Sequence, residues 1–315
     1  MRGAGVPRVA RRKKSDEELL RELTAQPDGL PARYIGAWTL KKLAVLLLYF
    51  EPFTRLCHGG YYIDGLAGPG MCEVKESPSP ARLVWGSPLL ALRTQPGFER
   101  SFFVEIDGSS AEALSARTRQ SANRCEVRVG DANLLVPRIV RSDVPLGAPC
   151  FCFLDPEASE VYWSTISQVA HCPGRKRMPE LLINFPLEMA SQRLLTTEEP
   201  MDRASVEKLD RFFPSRNWRE VYDARRSAAI TPPEAKEQYL DIYKAGLLEL
   251  GYDEDGVHTL PVKTPGQPGG KGRELYHLIF ASDHSAGKKI MKHVLERQNW
   301  LDHLVMGQLA LLPEA

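Results

Sequence analysis

Four short apolar runs in this chain end on or next to an acidic residue, and each is followed by a stretch long enough for a helix. Tyr61-Tyr62-Ile63 leads to Asp64, Ser101 to Ile106 carries Glu105 with Asp107 behind it, Glu126 to Val129 leads to Asp131, and Cys150 to Leu154 leads to Asp155. Strand and helix alternating in this way imply βαβ units and a parallel sheet. Ligands of open parallel sheets bind outside the carboxyl ends of the strands. Acids usually mark a solvated face, but four at one register mark a site. The expected fold is α/β and Rossmann-like, a seven-stranded, mostly parallel sheet with a helical insertion.

The rest of the chain fits around that frame. Residues 1–33 read as a basic N-terminal arm, with Arg2, Arg8, Arg11, Arg12, Lys13 and Lys14. A helix is expected over Tyr34 to Phe50, ended by Pro52. Another opens at Ser87, with Ser87 as N-cap and Pro88 at the first helical position. Further helices are expected over Ser109 to Arg119, Leu134 to Arg141 and Tyr162 to Ala170, and a fifth strand over Leu181 to Phe185. Residues 34–195 form the cofactor-binding core, and 196–232 read as the helical insertion. Residues 233–315 complete the sheet with a helix over Glu234 to Leu250, strands Val257 to Val262 and Leu275 to Ala281, and a final basic helix. A Gly/Pro-rich loop joins those two strands and carries Lys271, Gly272 and Arg273, which suit a phosphate.

The first strand runs into Asp64-Gly65-Leu66-Ala67-Gly68-Pro69-Gly70, where glycines permit a tight turn and close approach of backbone to a ligand. The spacing of Gly65, Gly68 and Gly70 is not that of the dinucleotide fingerprint, which argues against a dehydrogenase. At the second strand end, Glu105, with Asp107 as second choice, is placed to accept hydrogen bonds from a ribose diol. Asp131-Ala132 at the third end suits an adenine amino group.

Charge and cysteines exclude other classes. Lys and Arg total 41 against 40 Asp and Glu, a net charge of +1, so any basic surface is local. The six cysteines have no C-x-x-C spacing, and the histidines have no common ligand spacing, so no metal is expected. A reducing, cytoplasmic setting fits these cysteines. The longest apolar run, Leu43 to Phe50, is too short to span a bilayer, and no membrane partner is expected.

The glycine turn, Glu105, Asp131 and Asp155-Pro156 together resemble class I S-adenosylmethionine-dependent methyltransferases. More narrowly, the chain resembles the three-Cys-motif partner protein family, TcmP. The segments that carry this are Tyr62 to Gly70, Gly86 to Leu92, Phe153-Leu154-Asp155-Pro156, Leu182-Ile183-Asn184-Phe185-Pro186, Phe280 to His284, and Gly36-Ala37-Trp38 upstream. The resemblance implies S-adenosylmethionine as cofactor, bound by Asp64, Gly65, Ala67, Gly68, Gly70, Glu105, Asp107, Asp131 and Ala132. Asp155 and Pro156 then take the catalytic position, with Asp155 orienting an acceptor nitrogen. Glu157 and Ala158 follow where the family often has an aromatic and a glycine. Glu157, Tyr162, Trp163 and Asn184 are the candidate substrate contacts. The expected reaction is N-methylation of a nucleic acid, nucleotide or nucleoside-like acceptor, and the expected partner is a protein carrying the three-cysteine motif. Two other readings stay open: a non-catalytic partner that keeps the fold, and an enzyme using the same pocket for a different reaction.

Overall fold

The computed structural model describes residues 16–75, 82–186, 201–264, 272–297 and 301. The basic residues Arg2 to Lys14, positions 196–200 of the insertion, and Lys271 with most of its loop lie outside the described residues.

The main sheet is built from β2 (Tyr61–Asp64), β5 (Arg100–Glu105), β6 (Cys125–Val129), β7 (Cys150–Leu154), β8 (Glu180–Phe185), β9 (His258–Lys263) and β10 (Glu274–Ala281). Their spatial order is β6-β5-β2-β7-β8-β10-β9. The four pairings among the first five strands are parallel, and β10 runs antiparallel to both its neighbours. This is the expected Rossmann-like arrangement of seven mostly parallel strands. The chain steps outward from β2 through β5 to β6, then returns to β7 on the other side of β2. The point of reversal, between β2 and β7, is where open α/β sheets form their crevice.

Alternation along the strands feeds two apolar layers. Tyr62, Phe103, Phe151, Phe153, Leu182 and Phe280 face one layer, with helix α2 (Thr39–Leu56) and the C-terminal helix Ser285–Leu295. Ile63, Phe102, Val104, Cys152, Leu154 and Ile183 face the other. That side is covered by α5 (Ala132–Ser142), α6 (Trp163–Ala170) and the helices Arg203–Phe212, Trp218–Arg226 and Pro232–Glu249. All five residues of β7 are buried, as an unbroken apolar run in a central parallel strand requires.

Several local expectations are corrected. Tyr34 lies in a short strand, β1 (Arg33–Ile35), and α2 starts only at Thr39. Pro52 does not end α2, which continues to Leu56, because Phe50 and Phe53 both pack into the core and reward the extra turn. Gly86, not Ser87, is the N-cap of α3 (Ser87–Arg93); its backbone N–H donates to Gly70 O at 2.8 Å, which fixes the cap position. Within the segment read as a basic arm, Asp16–Leu23 form α1, whose Leu19, Leu20 and Leu23 enter the core. The strands β3 (Met71–Val74) and β4 (Arg82–Trp85), unforeseen in the sequence, join β1 in a second sheet of order β1-β3-β4.

Far from the crevice, at the start of β8, Glu180 is buried and accepts from the hydroxyls of Tyr49 and Ser282, the latter at 3.1 Å. A Cβ on Gly287 would stand 2.0 Å from Glu180 Oε1, so glycine is what lets the C-terminal helix close over this carboxyl. Burial pushes the Glu180 carboxyl up from its ordinary 4.5 to about 7. Between those values the folded protein keeps a proton that the unfolded chain has lost. Stability therefore falls as pH rises through that window, by about 1.4 kcal/mol per pH unit. Glu180→Gln is expected to gain on the wild type by roughly 2 kcal/mol between pH 5 and pH 7.5. Urea unfolding of both proteins at the two pH values checks this, and a pH-independent difference would release Glu180 from the role.

Candidate active site

Two adjoining cavities open at the carboxyl ends of β5, β2 and β7. The first has a volume of about 440 Å³ and is lined by Gly65, Gly68, Glu105, Asp131, Ala132 and Asp155, among others. The second, of about 360 Å³, is lined by Trp38, Lys42, Pro156, Asn184 and Tyr276, with Ala67 and Gly70 in its wall. Arg33, Leu66, Gly68, Pro69, Asp155 and Glu157 border both, so the two spaces meet at the end of β7.

The glycine turn is held from two sides. The Gly68 N–H donates to Glu105 Oε2 at 2.7 Å, and the Asp107 N–H donates to Oε1 at 2.8 Å. Glu105 thus ties the turn after β2 to the loop after β5, and each carboxylate oxygen keeps a lone pair for a ligand. Gly68 has φ +63, and an added Cβ would meet only Arg33 Cδ at 4.0 Å. The backbone is therefore left bare toward the cleft, in a conformation that favours glycine.

A roof over this cleft comes from the segment before β1. Arg117, at the end of α4 (Gly108–Thr118), has a side chain only 4% exposed. Its Nε and Nη2 donate to the Asp28 carboxylate at 2.7 and 2.8 Å, and its Nη1 donates to Pro31 O at 2.8 Å and to Pro69 O at 2.6 Å. The guanidinium holds the Asp28 carboxyl below its ordinary range. One buried cation thereby clamps the strap carrying Pro31, Ala32 and Arg33 onto the glycine turn. No sequence pattern singles out Arg117, since it lies 89 residues from Asp28.

Asp155 sits between the cavities. Its Oδ2 is ion-paired with Lys42 of α2, and both side chains are largely buried, 14% and 10% exposed. Its Oδ1 accepts from Asn184 Nδ2 at 2.9 Å. Glu157 pairs with Arg33 across the mouth.

Four of the residues expected at the site are placed elsewhere. Asp64 is fully buried beneath the cleft and lines neither cavity; it accepts from the Tyr62 hydroxyl at 2.9 Å. Burial, reinforced by the Asp155 charge, pushes its carboxyl up to about 7. Asp107 is the N-cap of α4, accepting from the Ser110 N–H at 2.8 Å, and borders neither cavity. Tyr162 turns toward Arg211, which lies 5.0 Å from its ring centroid. Trp163 packs edge-on against Tyr243 at 5.2 Å in the core. Helical direction explains the last pair: both sit at the start of α6, which feeds the layer under the helical insertion. Asp131 lines the first cavity but also caps α5, its Oδ1 accepting from the Asn133 N–H at 2.8 Å. The aromatic residues that border the second cavity are Tyr34, Trp38 and Tyr276, together with the cation Lys42. Of these, only the Trp38 segment was singled out in the sequence.

No family model and no curated protein matches the chain. Among solved structures, protein LPL1258 from Legionella pneumophila is 10% identical, with a TM-score of 0.47, covering 82% of this chain and 92% of its own. Trm1 from Pyrococcus horikoshii, solved with S-adenosyl-L-methionine, is 11% identical with a TM-score of 0.43, covering 85% of this chain and 62% of its own. The METTL16 methyltransferase domain is 13% identical with a TM-score of 0.42, covering 86% of this chain and 78% of its own. Among the described residues, no helix is long and apolar enough to cross a membrane.

Proposed function

We propose that this protein is an S-adenosylmethionine-dependent methyltransferase that acts on a nitrogen of a nucleic acid, nucleotide or nucleoside-like acceptor. The observation that carries the reading is the meeting of two cavities at Asp155, one shaped by a bare glycine turn and an anchored carboxylate, the other walled by polar and aromatic groups. In this reading Glu105 takes the ribose diol, Asp131 and Ala132 face the adenine, and the bare backbone at Gly68 leaves room for the remainder. S-adenosylmethionine supplies a methyl on a sulfonium: its carbon–sulfur bond breaks as a carbon–nitrogen bond forms, sulfur keeps the electron pair as a thioether, and the amine proton passes to solvent. The chain's own work is to align the acceptor and to exclude water. Lys42 pairs with Asp155 where the two cavities meet, and Arg33 with Glu157 narrows the shared mouth. The resemblance of the Tyr62 to Gly70 and Asp155-Pro156 segments to the TcmP family supports a protein with the three-cysteine motif as the proposed partner. The cysteine usage fits a reducing compartment and supports a cytoplasmic setting as part of this proposal.

The test is calorimetric titration with S-adenosylmethionine. Glu105→Ala is expected to weaken binding by about tenfold or more, because a charge-assisted hydrogen bond is worth roughly 1.5–3 kcal/mol. Glu105→Gln, which keeps one acceptor oxygen, should fall between. Circular dichroism separates loss of ligand from loss of fold, and unchanged affinity in a folded Glu105→Ala protein would sink the assignment of this cleft.

A further inference from the structure

Asn184 is oriented by its neighbours. Its Nδ2 donates to Asp155 Oδ1 at 2.9 Å and to the Pro156 carbonyl at 3.1 Å. Both partners only accept, so the amide nitrogen has to face them and the amide oxygen has to face away. That oxygen is buried without a hydrogen-bond partner. The Tyr276 hydroxyl is buried and unpartnered too. Both residues line the second cavity and are more than nine-tenths buried, at 7% and 8% exposure. A buried polar atom left without a partner is unfavourable and points to a ligand that supplies one.

The chemistry of that ligand follows from the wall. Asp155 is acceptor-only, and after Lys42 and Asn184 have each taken one position it retains free lone pairs. Asn184 Oδ1 is a second acceptor. Two acceptors on residues that line one cavity match a group with two N–H bonds. A carbonyl in the same place would set its lone pairs against theirs. The Tyr276 hydroxyl can donate to a ring nitrogen beside such an amine, and Trp38 and Tyr34 add aromatic residues to the lining, which suits a planar ring.

We infer that the second cavity selects heterocycles bearing a primary amino group, held between the Asp155 carboxylate and Asn184 Oδ1, an assignment that rests on the methyltransferase reading above. Asp155 has here a double role, touching the amine and fixing the direction of Asn184.

Nucleoside pairs that differ only by amine and carbonyl test this. The protein is saturated with S-adenosylhomocysteine, so that nucleosides cannot occupy the first cavity, and is titrated with cytidine, uridine, adenosine and inosine. Cytidine and adenosine are expected to bind about tenfold or more tightly than uridine and inosine, since a site built to pair a group rejects the analogue lacking it. In Asn184→Ala that ratio should drop to below about threefold, while S-adenosylhomocysteine affinity stays within about twofold. Equal binding of amino and oxo nucleosides to the wild type overturns the inference, as does a ratio preserved in Asn184→Ala. The wild-type comparison decides even where the variant does not fold. Binding of S-adenosylhomocysteine without any nucleoside overturns this inference alone. Failure of S-adenosylhomocysteine to bind overturns the methyltransferase reading and takes the inference with it.

Discussion

Asp155→Ala is expected to keep most of the affinity for S-adenosylmethionine and to lose on the order of 10²-fold or more in turnover. The residue stands where the two cavities join, beyond the groups assigned to ribose and adenine. In the proposed reading its loss leaves the cofactor contacts in place and removes the carboxylate that aligns the acceptor. It also releases Asn184, whose amide nitrogen then retains only the Pro156 carbonyl as partner. The assay is transfer of labelled methyl from S-adenosylmethionine to nucleic acids, nucleosides and cell extract. Equal labelling by wild type and Asp155→Ala would leave the enzyme reading standing and strip Asp155 of its role. A wild type that binds cofactor and labels nothing, even with the three-cysteine protein present, would favour the non-catalytic alternative.

Lys42→Met is expected to destabilise the protein by about 3 kcal/mol, because it strands the Asp155 carboxylate in a largely buried position. Attraction within such a pair roughly offsets the cost of desolvating both ions, so removing one partner exposes the whole cost of the other. Lys42→Met combined with Asp155→Asn should therefore recover most of the loss, since a neutral amide replaces the stranded charge. Urea unfolding of the wild type, the single variant and the double variant measures this. A single variant within about 1 kcal/mol of wild type would mean that water already solvates the pair. The methionine keeps the apolar stem against the Tyr276 ring, over which Lys42 Nζ lies 5.8 Å from the centroid, so packing loss adds little to the reading.

Much of the fold is legible because its signals are local. Phe103 and Val104 are neighbours in sequence and face opposite apolar layers, which is the period-two pattern read directly from β5. The glycine turn after β2 and the acid at each strand end are local features too, and Glu105 lines the cleft. The local signal misleads where one residue type serves two purposes. Asp64 ends its strand like Asp155, but its side chain points beneath the cleft. Asp107 resembles a ribose ligand and is spent on a helix cap. Tyr162 and Trp163 have the aromatic character of a base-stacking pair, yet the start of α6 directs them to Arg211 and to the core.

By itself, the sequence determined the alternation of strands and helices in the main sheet, the position of the cleft and the presence of Glu105 at its edge, because hydrophobic period and turn chemistry act between residues a few positions apart. The tertiary structure alone decided what surrounds Asp155. Lys42 lies 113 residues away from it and Asn184 29 residues away, while Arg33 lies 124 residues from the Glu157 it pairs with. Each of these contacts exists because separate elements cross at the reversal point of the sheet, where packing rather than any neighbouring pattern sets which charged and polar groups meet.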